Sequence, residues 1–371
     1  MDKVEKMLVP LPWEGNVEQF KSNINVHKGY EWLSNIDNKN VYLSLFQCWP
    51  TQDLPLNYDV YIVSFHLEAV AVDWLAKQSE RVNAEIIVLF DGLSNNYTIP
   101  RVTFYPYYYW HIQLDKIFKW FPNPIKKHIT HKASAICNRV QTNKLLVFTA
   151  LAEYLKTENC MLVLRDWVEQ QNIEKLTARK NDQLEDLYDT FFRKYLGRKY
   201  KIDDFTNDLN YQKHTANPWQ PYLQNCAIHF TNESFSTTSL HLYDGPYSTA
   251  LQCYPGPFLT EKTLKCIAGN TAFVPVGQYH TYATLESLGF YFDYEFDTSF
   301  DLIKDDGDRL NAIVKLIQTF EDIDADTLYQ MTKESTLSNY NYAREGVFYR
   351  EVEKLNAYTA EQVIEHIKQT A

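Results

Sequence analysis

Two adjacent opposite charges stand at the start of a segment with the pattern of a helix followed by a strand. Residues 258–277 are FLTEKTLKCIAGNTAFVPVG, in which Thr260 suits an N-cap and Gly269 suits the helix end. Glu261 and Lys262 then lie in the first turn, among free backbone N–H groups at the positive end of the helix dipole. Such a helix start attracts phosphate, so the lysine suits a diphosphate and the glutamate suits ribose hydroxyls. In the alternative interpretation, Glu261 only favours the dipole and Lys262 is solvated.

A transfer reaction at such a site also needs a base for the attacking hydroxyl, and polar residues at strand ends in the N-terminal half are candidates. His66 and Glu68 occur in SFHLEA, Asp91 follows the apolar run AEIIVLF, and His111 and Asp115 occur in YWHIQLD. Open α/β sheets bind ligands where their strands end, which favours Asp91. Each of these side chains could instead cap a helix or make a local hydrogen bond. The catalytic candidates are Asp91, His66 and Asp115.

A basic and aromatic segment lies between the two halves of the chain. It joins YPYYYWH to several lysines and histidines in a protein of net charge −11. Charge runs are usually solvated surface, but aromatic faces beside cations also suit a groove for a nucleic-acid backbone and an unstacked base. The acceptor-binding candidates of this second interpretation are Lys119, Lys126, Lys127, Tyr108, Trp110 and His111.

The hydrophobic pattern predicts the elements that position these residues. From residue 40 to 91, the apolar runs VYLSLFQCW, DVYIVSFH and AEIIVLFDG alternate with the helical pattern LEAVAVDWLAKQSERV. This order predicts a parallel sheet flanked by helices, of the Rossmann type. Pro122 and Pro124 mark the crossing to a second series, which runs through ITHKASAICNR, NKLLVFTALAEYL, CMLVLRDW, QNCAIHFTNES, TAFVPVG and LGFYFDYEFD. The terminal TAEQVIEHIKQT predicts a short amphipathic helix.

Composition limits the class of protein. A chain of 371 residues exceeds the roughly 250–300 at which one core stops growing, so two domains are expected. The content of 45% hydrophobic and 22% charged residues is that of a folded protein. The negative net charge disfavours non-specific coating of nucleic acid or anionic membrane. Since no apolar run has the length of a membrane span and the first residues lack a secretion-signal pattern, we expect a soluble, intracellular protein without stable membrane insertion.

Cysteine spacing and acidic motifs argue against a metal. The six cysteines are far apart and form no CxxC pair, so they suggest neither zinc nor a disulfide framework. The nearest matches to a metal-binding DxD motif, DYEFD and DDGD, fall where we predict a strand edge and a helix start. A hard divalent ion needs several oxygen ligands together. We therefore predict no bound metal.

Several motifs together resemble a known enzyme group. HFTNESF, FLTEKTLKCIAGNTAFVPVG, LESLGF, and FDTSFD followed by DRL resemble phage and bacterial glycosyltransferases of the two-Rossmann-domain GT-B type. They are also similar to the donor half of the alpha-1,3-fucosyltransferases. The resemblance covers residues 138–320, and its specific part is the NES and TEK pairing.

The resemblance implies roles for particular residues. In such families the TEK glutamate holds the donor ribose and the lysine a donor phosphate, which implies these roles for Glu261 and Lys262. An arginine leaving the first donor-domain strand adds a phosphate contact. The donor-binding set implied in this way is Arg139, Lys144, Asn232, Glu233, Ser234, Thr260, Glu261 and Lys262. The NES order and a longer insertion before TEK depart from the fucosyltransferases, so the resemblance does not imply fucose as the donor sugar.

We therefore predict a GT-B-like α/β fold, with two Rossmann-like domains facing across a cleft. Residues 1–127 form the acceptor domain, 128–345 the nucleotide-sugar donor domain, and 346–371 C-terminal helices that can pack back on the first domain. The expected co-substrate is a nucleotide sugar, UDP-sugar first, with no bound cofactor. The expected acceptor is a hydroxymethylated pyrimidine such as hydroxymethylcytosine in double-stranded phage DNA, in the cytoplasm of the bacterial host. The alternatives are a transferase acting on a surface glycan or lipopolysaccharide, and a non-catalytic nucleotide-sugar-binding module.

Overall fold

Runs of β-branched and aliphatic residues form the strands of this protein, because such runs can be buried on both faces of a sheet. The computed structural model describes residues 13–22, 29–37, 40–45, 52–65, 72–90, 98–108, 118, 121, 127–137, 142–164, 184–195, 220–232 and 261–370. In chain order its strands are β1 (Trp13–Asn16), β2 (Val41–Leu45), β3 (Val60–Phe65), β4 (Glu85–Phe90), β5 (Val102–Pro106), β6 (His131–Cys137), β7 (Cys160–Leu164), β8 (Cys226–Asn232) and β9 (Ala272–Val276).

Helices alternate with these strands and then follow them. In chain order the described α-helices are α1 (Val17–Lys21), α2 (Val72–Val82), α3 (Thr142–Ala150), α4 (Glu185–Thr190), α5 (Gln220–Asn225), α6 (Glu261–Ala268), α7 (Thr281–Ser287), α8 (Asp306–Thr319), α9 (Ala325–Gln330), α10 (Lys333–Arg344) and α11 (Val347–Thr370). Short 3₁₀ helices span Glu31–Asn35, Thr157–Asn159 and Ser299–Leu302, and π-helical turns span Leu151–Lys156 and Phe191–Tyr195. The predicted α/β class is confirmed.

The first sheet has the order β1-β2-β3-β4-β5. Strands β2 to β5 are parallel, and β1 pairs antiparallel with β2 at one edge. The spatial order of the strands is therefore the chain order, with no reversal among the strands that the structure describes. The sequence pattern predicts β2, β3 and β4 but not the two edge strands, whose runs are short and partly exposed.

Alternate residues of the central strands face two separate cores of the first sheet. On one face, Ile62 of β3 packs in a cluster with Phe20 of α1 and Val363 of α11. On the other face, Val63 packs with Leu75 of α2. This alternation follows from the period of two in a strand, and it makes both faces apolar.

The second sheet has the order β7-β6-β8-β9, and all its strands are parallel. The chain moves from β6 to β7 on one side, then crosses to β8 on the other side and continues to β9. The strand order therefore reverses between β6 and β8. In open α/β sheets a ligand binds outside the carboxyl ends of the strands at such a reversal.

The last helix packs on the first sheet. Asn356 of α11 joins the end of β5, because Tyr108 N donates to Asn356 Oδ1 (2.8 Å) and Asn356 Nδ2 donates to Tyr108 O (3.2 Å). Thr359 Oγ1 donates to Pro106 O at 2.9 Å. His366 Nδ1 lies 3.0 Å from Tyr105 Oη. The predicted short terminal helix is thus the end of a 24-residue helix.

The described residues form two compact units. One unit holds the first sheet, α1, α2 and residues 348–370, and the other holds the second sheet and helices α3 to α10. The predicted boundary after residue 127 differs from this division. Phe118 contacts Tyr340 of α10 at a ring-centroid distance of 5.8 Å, and Lys127 bonds to residues of the second sheet's unit.

The pattern LGFYFDYEFD does not form the predicted strand. Phe290, Phe292 and Tyr294 are buried and the residues between them are exposed, as in a strand, but they pair with no strand in the described residues. Asn339 of α10 takes the place of a partner strand. Its Oδ1 accepts from Tyr291 N and its Nδ2 donates to Tyr291 O, both at 2.7 Å.

Candidate functional site

The carboxyl ends of β6 and β8 meet at the reversal of the second sheet. Asn232 ends β8, and its Nδ2 donates to Ile136 O of β6 at 3.2 Å. The same nitrogen lies 3.5 Å from Cys137 Sγ at the end of β6. Burial raises the pKa of the Cys137 thiol to about 12, against opposing effects of Lys144 and Asn232. The thiol is therefore protonated and serves as a hydrogen-bonding neighbour, not as a nucleophile.

Helix α3 begins just beyond this point. Cys137 Sγ donates to Lys144 O in the first turn of α3, at 3.6 Å. Lys144 itself is buried, so its positive charge lies inside the fold near the start of the helix. Helix α3 begins shortly after β6 ends, which sets its N–H groups and its positive dipole end at the carboxyl edge of the sheet.

Two buried amide atoms beside the reversal between β6 and β8 lack hydrogen-bond partners, and a third enclosed amide atom, Gln278 Nε2, lies in the loop after β9. Among the described residues, Asn143 Nδ2 and Asn232 Oδ1 are each enclosed without a partner. The side chains are 9% and 4% exposed. Leaving a buried polar atom unpaired costs about 1–3 kcal/mol, so native folds rarely keep such atoms without a reason.

Helix α6 runs from the carboxyl edge to the amino edge. It ends in a Schellman motif, in which Thr271 N donates to Cys266 O (2.9 Å) and Asn270 N to Ile267 O (3.0 Å). The helix ends just before Gly269, as the sequence predicts, but the left-handed residue of this motif is Asn270, with φ of 50°. Because Thr271 leads directly into β9, the end of α6 lies at the amino edge and its start lies towards the carboxyl edge.

The first turn of α6 therefore lies on the same side of the sheet as the end of β8. The helix begins at Glu261, as the sequence predicts, and Lys262 is partly exposed there. The side chain of Glu261 lies outside the described residues. The structure brings the starts of α3 and α6, and with them Lys144, Lys262 and Asn232, to one edge.

A third helix start at this edge is already occupied. The carboxylate of Asp301 accepts hydrogen bonds from the N–H groups of Thr281 (2.8 Å), Tyr282 (3.0 Å) and Ala283 (3.2 Å) at the start of α7. Burial raises the pKa of Asp301, and these three hydrogen bonds oppose the rise. The second aspartate of the FDTSFD motif thus caps a helix and takes up the donors that an anion would need.

The arginine of the DRL motif is likewise structural. Arg309 is buried, and its Nε donates to Gly277 O (3.0 Å) just after β9. Its Nη1 donates to Ile303 O (2.8 Å), and its Nη2 pairs with Asp306. Arg309 therefore fixes the loop after β9 and does not present its guanidinium to a ligand.

The loop between β9 and α7 adds residues that the sequence pattern did not single out. His280 has a left-handed backbone, with φ of 65°, and its N donates to Asp301 O at 2.6 Å. Its ring contacts the ring of Tyr279, with centroids 4.6 Å apart and planes tilted by 57°, and both residues are partly exposed. A non-glycine residue in this conformation is uncommon, and such residues concentrate at functional sites.

The strands under the reversal are joined by a buried polar pair. Ser134 Oγ of β6 lies 2.8 Å from His229 Nδ1 of β8. Burial, followed by the charge of Lys265, lowers the pKa of His229 to about 3. The imidazole is therefore neutral and structural, and it ties the two strands whose ends form the site.

Lys127 is not part of an exposed basic surface, contrary to the sequence expectation. Its Nζ donates to Leu223 O and to Thr271 Oγ1, both at 2.6 Å, and to Gly269 O at 3.3 Å. The residue as a whole is partly exposed, but its ammonium group is enclosed by protein. Desolvation lowers its pKa to about 7. Lys127 joins elements at the amino edge and does not offer its charge to a nucleic-acid phosphate.

Tyr108 also differs from its expected role. Its side chain is buried, and its backbone bonds to Asn356 of α11. A buried ring cannot stack on a base from solvent. The remaining predicted site residues, Asp91, His66, Asp115, Arg139, Glu233, Ser234, Thr260, Lys119, Lys126, Trp110 and His111, lie outside the described residues.

No family model, curated protein or solved structure matches this chain. Within the described residues, no helix is both long and apolar enough to cross a membrane. The same residues contain no group of three or more His, Cys, Asp or Glu side chains suited to holding a metal ion.

Proposed function

We propose that this protein is a GT-B-type glycosyltransferase that moves a sugar from a nucleotide sugar, with a UDP-sugar as the first candidate, to a hydroxyl group. The observation that carries the proposal is the arrangement at the carboxyl edge of the second sheet. There the starts of α3 and α6 lie on the same side as Asn232, where the strand order reverses. Doubly wound sheets bind nucleotides at this position.

The charges at this edge suit the leaving group of such a reaction. Sugar transfer develops negative charge on the departing diphosphate. Two helix starts, the buried Lys144 and the partly exposed Lys262 supply fixed positive charge for it. These groups serve the reaction without a metal ion. Glu261 and Lys262 are proposed to hold the ribose and the diphosphate, as the resemblance implies.

The proposed acceptor is a hydroxymethylated pyrimidine in double-stranded DNA. The support for it is the resemblance to phage enzymes and the basic, aromatic composition around residues 108–132. Because Lys127 and Tyr108 are engaged inside the fold, contact with DNA falls to Lys119, Lys126, Trp110 and His111. The proposed base is Asp91, with His66 and Asp115 as the other candidates.

The proposal is tested by a mass-spectrometric transfer screen. UDP-, GDP- and CMP-sugars are incubated with duplex DNA containing hydroxymethylcytosine. The DNA is then digested, and the masses of the released nucleosides are measured. A hexose or pentose increment on the modified base, lost in Lys262→Ala, is the expected result. Lys354→Ala is the matched control, since Lys354 is an exposed lysine of α11 paired with Glu351.

Other results of this screen point to the alternatives. Donor hydrolysis without transfer to DNA would move the acceptor to a glycan or lipopolysaccharide, which labelled oligosaccharides then test. Nucleotide binding without transfer or hydrolysis would indicate a non-catalytic binding module. If no nucleotide sugar is bound, hydrolysed or transferred, the proposed function is wrong.

A further inference from the structure

We propose that Asn143 and Asn232 recognise hydroxyl groups on a sugar ring of the bound nucleotide. The inference deepens the proposed function and rests on it. The resemblance does not single out Asn143.

Asn143 and Asn232 lie near the ends of neighbouring elements of the second sheet's unit. Asn232 Nδ2 lies 3.5 Å from Cys137 Sγ, and the same sulfur lies 3.6 Å from Lys144 O. Asn143 directly precedes Lys144 in the first turn of α3. The Asn232 amide and the first turn of α3, which carries Asn143, therefore lie at the reversal point between β6 and β8, where the fold leads us to expect a ligand.

A hydrogen bond to β6 fixes the direction of the Asn232 amide. Its Nδ2 points back to β6, since it donates to Ile136 O. Because the amide is planar and its oxygen and nitrogen diverge from one carbon, Oδ1 points away from β6. Asn232 thus presents an acceptor on the side away from β6.

The two unpaired atoms need hydrogen-bond partners of opposite kinds. The two unpaired atoms are a donor, Asn143 Nδ2, and an acceptor, Asn232 Oδ1. A hydroxyl group both accepts and donates a hydrogen bond, so the hydroxyl groups of a sugar ring supply the kind of partner that each atom needs. A phosphate oxygen could satisfy only Asn143. The ribose and the transferred sugar both carry such hydroxyls, and the test separates them.

The two amide atoms also affect the stability of the unliganded protein. Two enclosed, unpaired amide atoms destabilise the fold unless a ligand pairs with them. A local violation of this kind is expected at a binding site. Removing one of them should therefore stabilise the free protein and weaken binding, whereas a purely structural asparagine would lose stability on substitution.

The test uses the full chain and Asn143→Leu, which keeps the branched shape of the side chain and removes both polar atoms. We expect its melting temperature without ligand to rise by about 2–4 °C, the shift for about 1 kcal/mol in a domain of this size. By isothermal titration calorimetry, we expect the affinity for the tightest ligand of a panel to fall about tenfold or more. The panel is UDP, UDP-glucose, GDP, GDP-mannose and CMP.

Two further variants keep the test decisive. Asn143→Asp retains shape, replaces Nδ2 with an oxygen and is favoured in a first helical turn, so it should fold and still lose affinity. Asn270→Gly is the control. Asn270 Oδ1 is also enclosed without a partner in the described residues, but Asn270 lies at the amino edge in a left-handed conformation that glycine accepts. It should bind as the wild type does.

The outcomes separate the sugar rings and the hypotheses. A loss of affinity for UDP and GDP themselves assigns the hydroxyl to the ribose, and a loss confined to the sugar conjugates assigns it to the transferred sugar. A lowered melting temperature of Asn143→Leu, or unchanged affinity for every ligand in both Asn143 variants, overturns the inference while the proposed function stands. If the wild type binds none of the panel, the donor-site proposal fails and the inference falls with it.

Discussion

The two edges of the second sheet handle their polar groups differently. At the amino edge, the ammonium group of Lys127 has three protein acceptors and the end of α6 is closed by a Schellman motif. At the carboxyl edge, two amide atoms are enclosed without partners in the described residues, and two helix starts lie together with Lys144 and Lys262. The amino edge also encloses one amide oxygen without a partner in the described residues, Asn270 Oδ1, but the charge of Lys127 there is taken up by protein acceptors. At the carboxyl edge such atoms lie together with helix starts and cations, a combination that suits the binding of a ligand.

The first sheet strengthens the contrast. Its parallel strands follow one another in space without a reversal among the described residues, and both of its faces are apolar cores. Only the second of the two described sheets has a reversal at which helix starts can gather. The contrast between the two edges of the second sheet is why Lys262 and Lys127 are expected to respond differently to substitution, the first in transfer rate and the second in stability.

The largest effect is expected from Lys262→Ala at the carboxyl edge. Loss of a cation that stabilises the leaving diphosphate should lower the transfer rate about 10²–10³-fold, or about 2.7–4 kcal/mol of transition-state stabilisation. The melting temperature should stay close to that of the wild type, because Lys262 is partly exposed. The measurement is a steady-state rate beside a thermal melt. A folded variant with the full rate would remove Lys262 from the proposed mechanism.

The second effect, at the amino edge, is on stability alone. Lys127→Met leaves the single hydroxyl proton of Thr271 to serve both Leu223 O and Gly269 O, which should lower the free energy of unfolding by about 1–3 kcal/mol. Urea denaturation measures this loss, and nucleotide affinity should not change. Lys354→Met, at an exposed lysine, should stay within about 0.5 kcal/mol. Equal stability of both variants would contradict the assigned role of Lys127.

The lowered pKa of Lys127 makes the stability of the protein depend on pH. Burial lowers the pKa of Lys127 to about 7 in the folded protein from the ordinary lysine value of 10.5, so between these limits the unfolded chain binds the extra proton. Stability from this group must therefore rise with pH through that window. From pH 7 to 8.5 we expect the wild type to gain about 1–2 kcal/mol relative to Lys127→Met. The buried thiols titrate in both proteins, so their contribution cancels in the difference between the two free energies of unfolding. If that difference does not change with pH, Lys127 has an ordinary pKa.

The smallest effect is expected at the end of α6. Asn270 has a left-handed backbone, which costs alanine about 1–2 kcal/mol and glycine almost nothing. Asn270→Ala should therefore lower the melting temperature and Asn270→Gly should not, as measured by differential scanning calorimetry. If the alanine variant melts with the wild type, Asn270 does not need its left-handed conformation to end the helix.

Hydrophobic pattern was enough to predict most central strands and the start of α6, because a strand buried on both faces must be a continuous apolar run. The NES and TEK motifs placed Asn232, Glu261 and Lys262 at element ends. The hydrophobic pattern failed where alternation of buried and exposed residues does not require a paired strand. Residues 290–297 alternate like a strand, yet Asn339 supplies the hydrogen bonds that a neighbouring strand would have made.

Only the tertiary structure decided what each charged residue faces. The sequence groups Lys127 with other lysines as a basic surface, but its ammonium group is enclosed at the amino edge by acceptors that lie 96 and 144 positions away. Asp301 and Arg309 belong to the motif series by sequence, yet they cap α7 and hold the loop after β9. Asn143 carries no motif at all. Local sequence determines which elements form, since their periodicity is local. Which polar atoms are paired and which are left for a ligand depends on contacts between distant residues, and only the strand order β7-β6-β8-β9 brings those residues together.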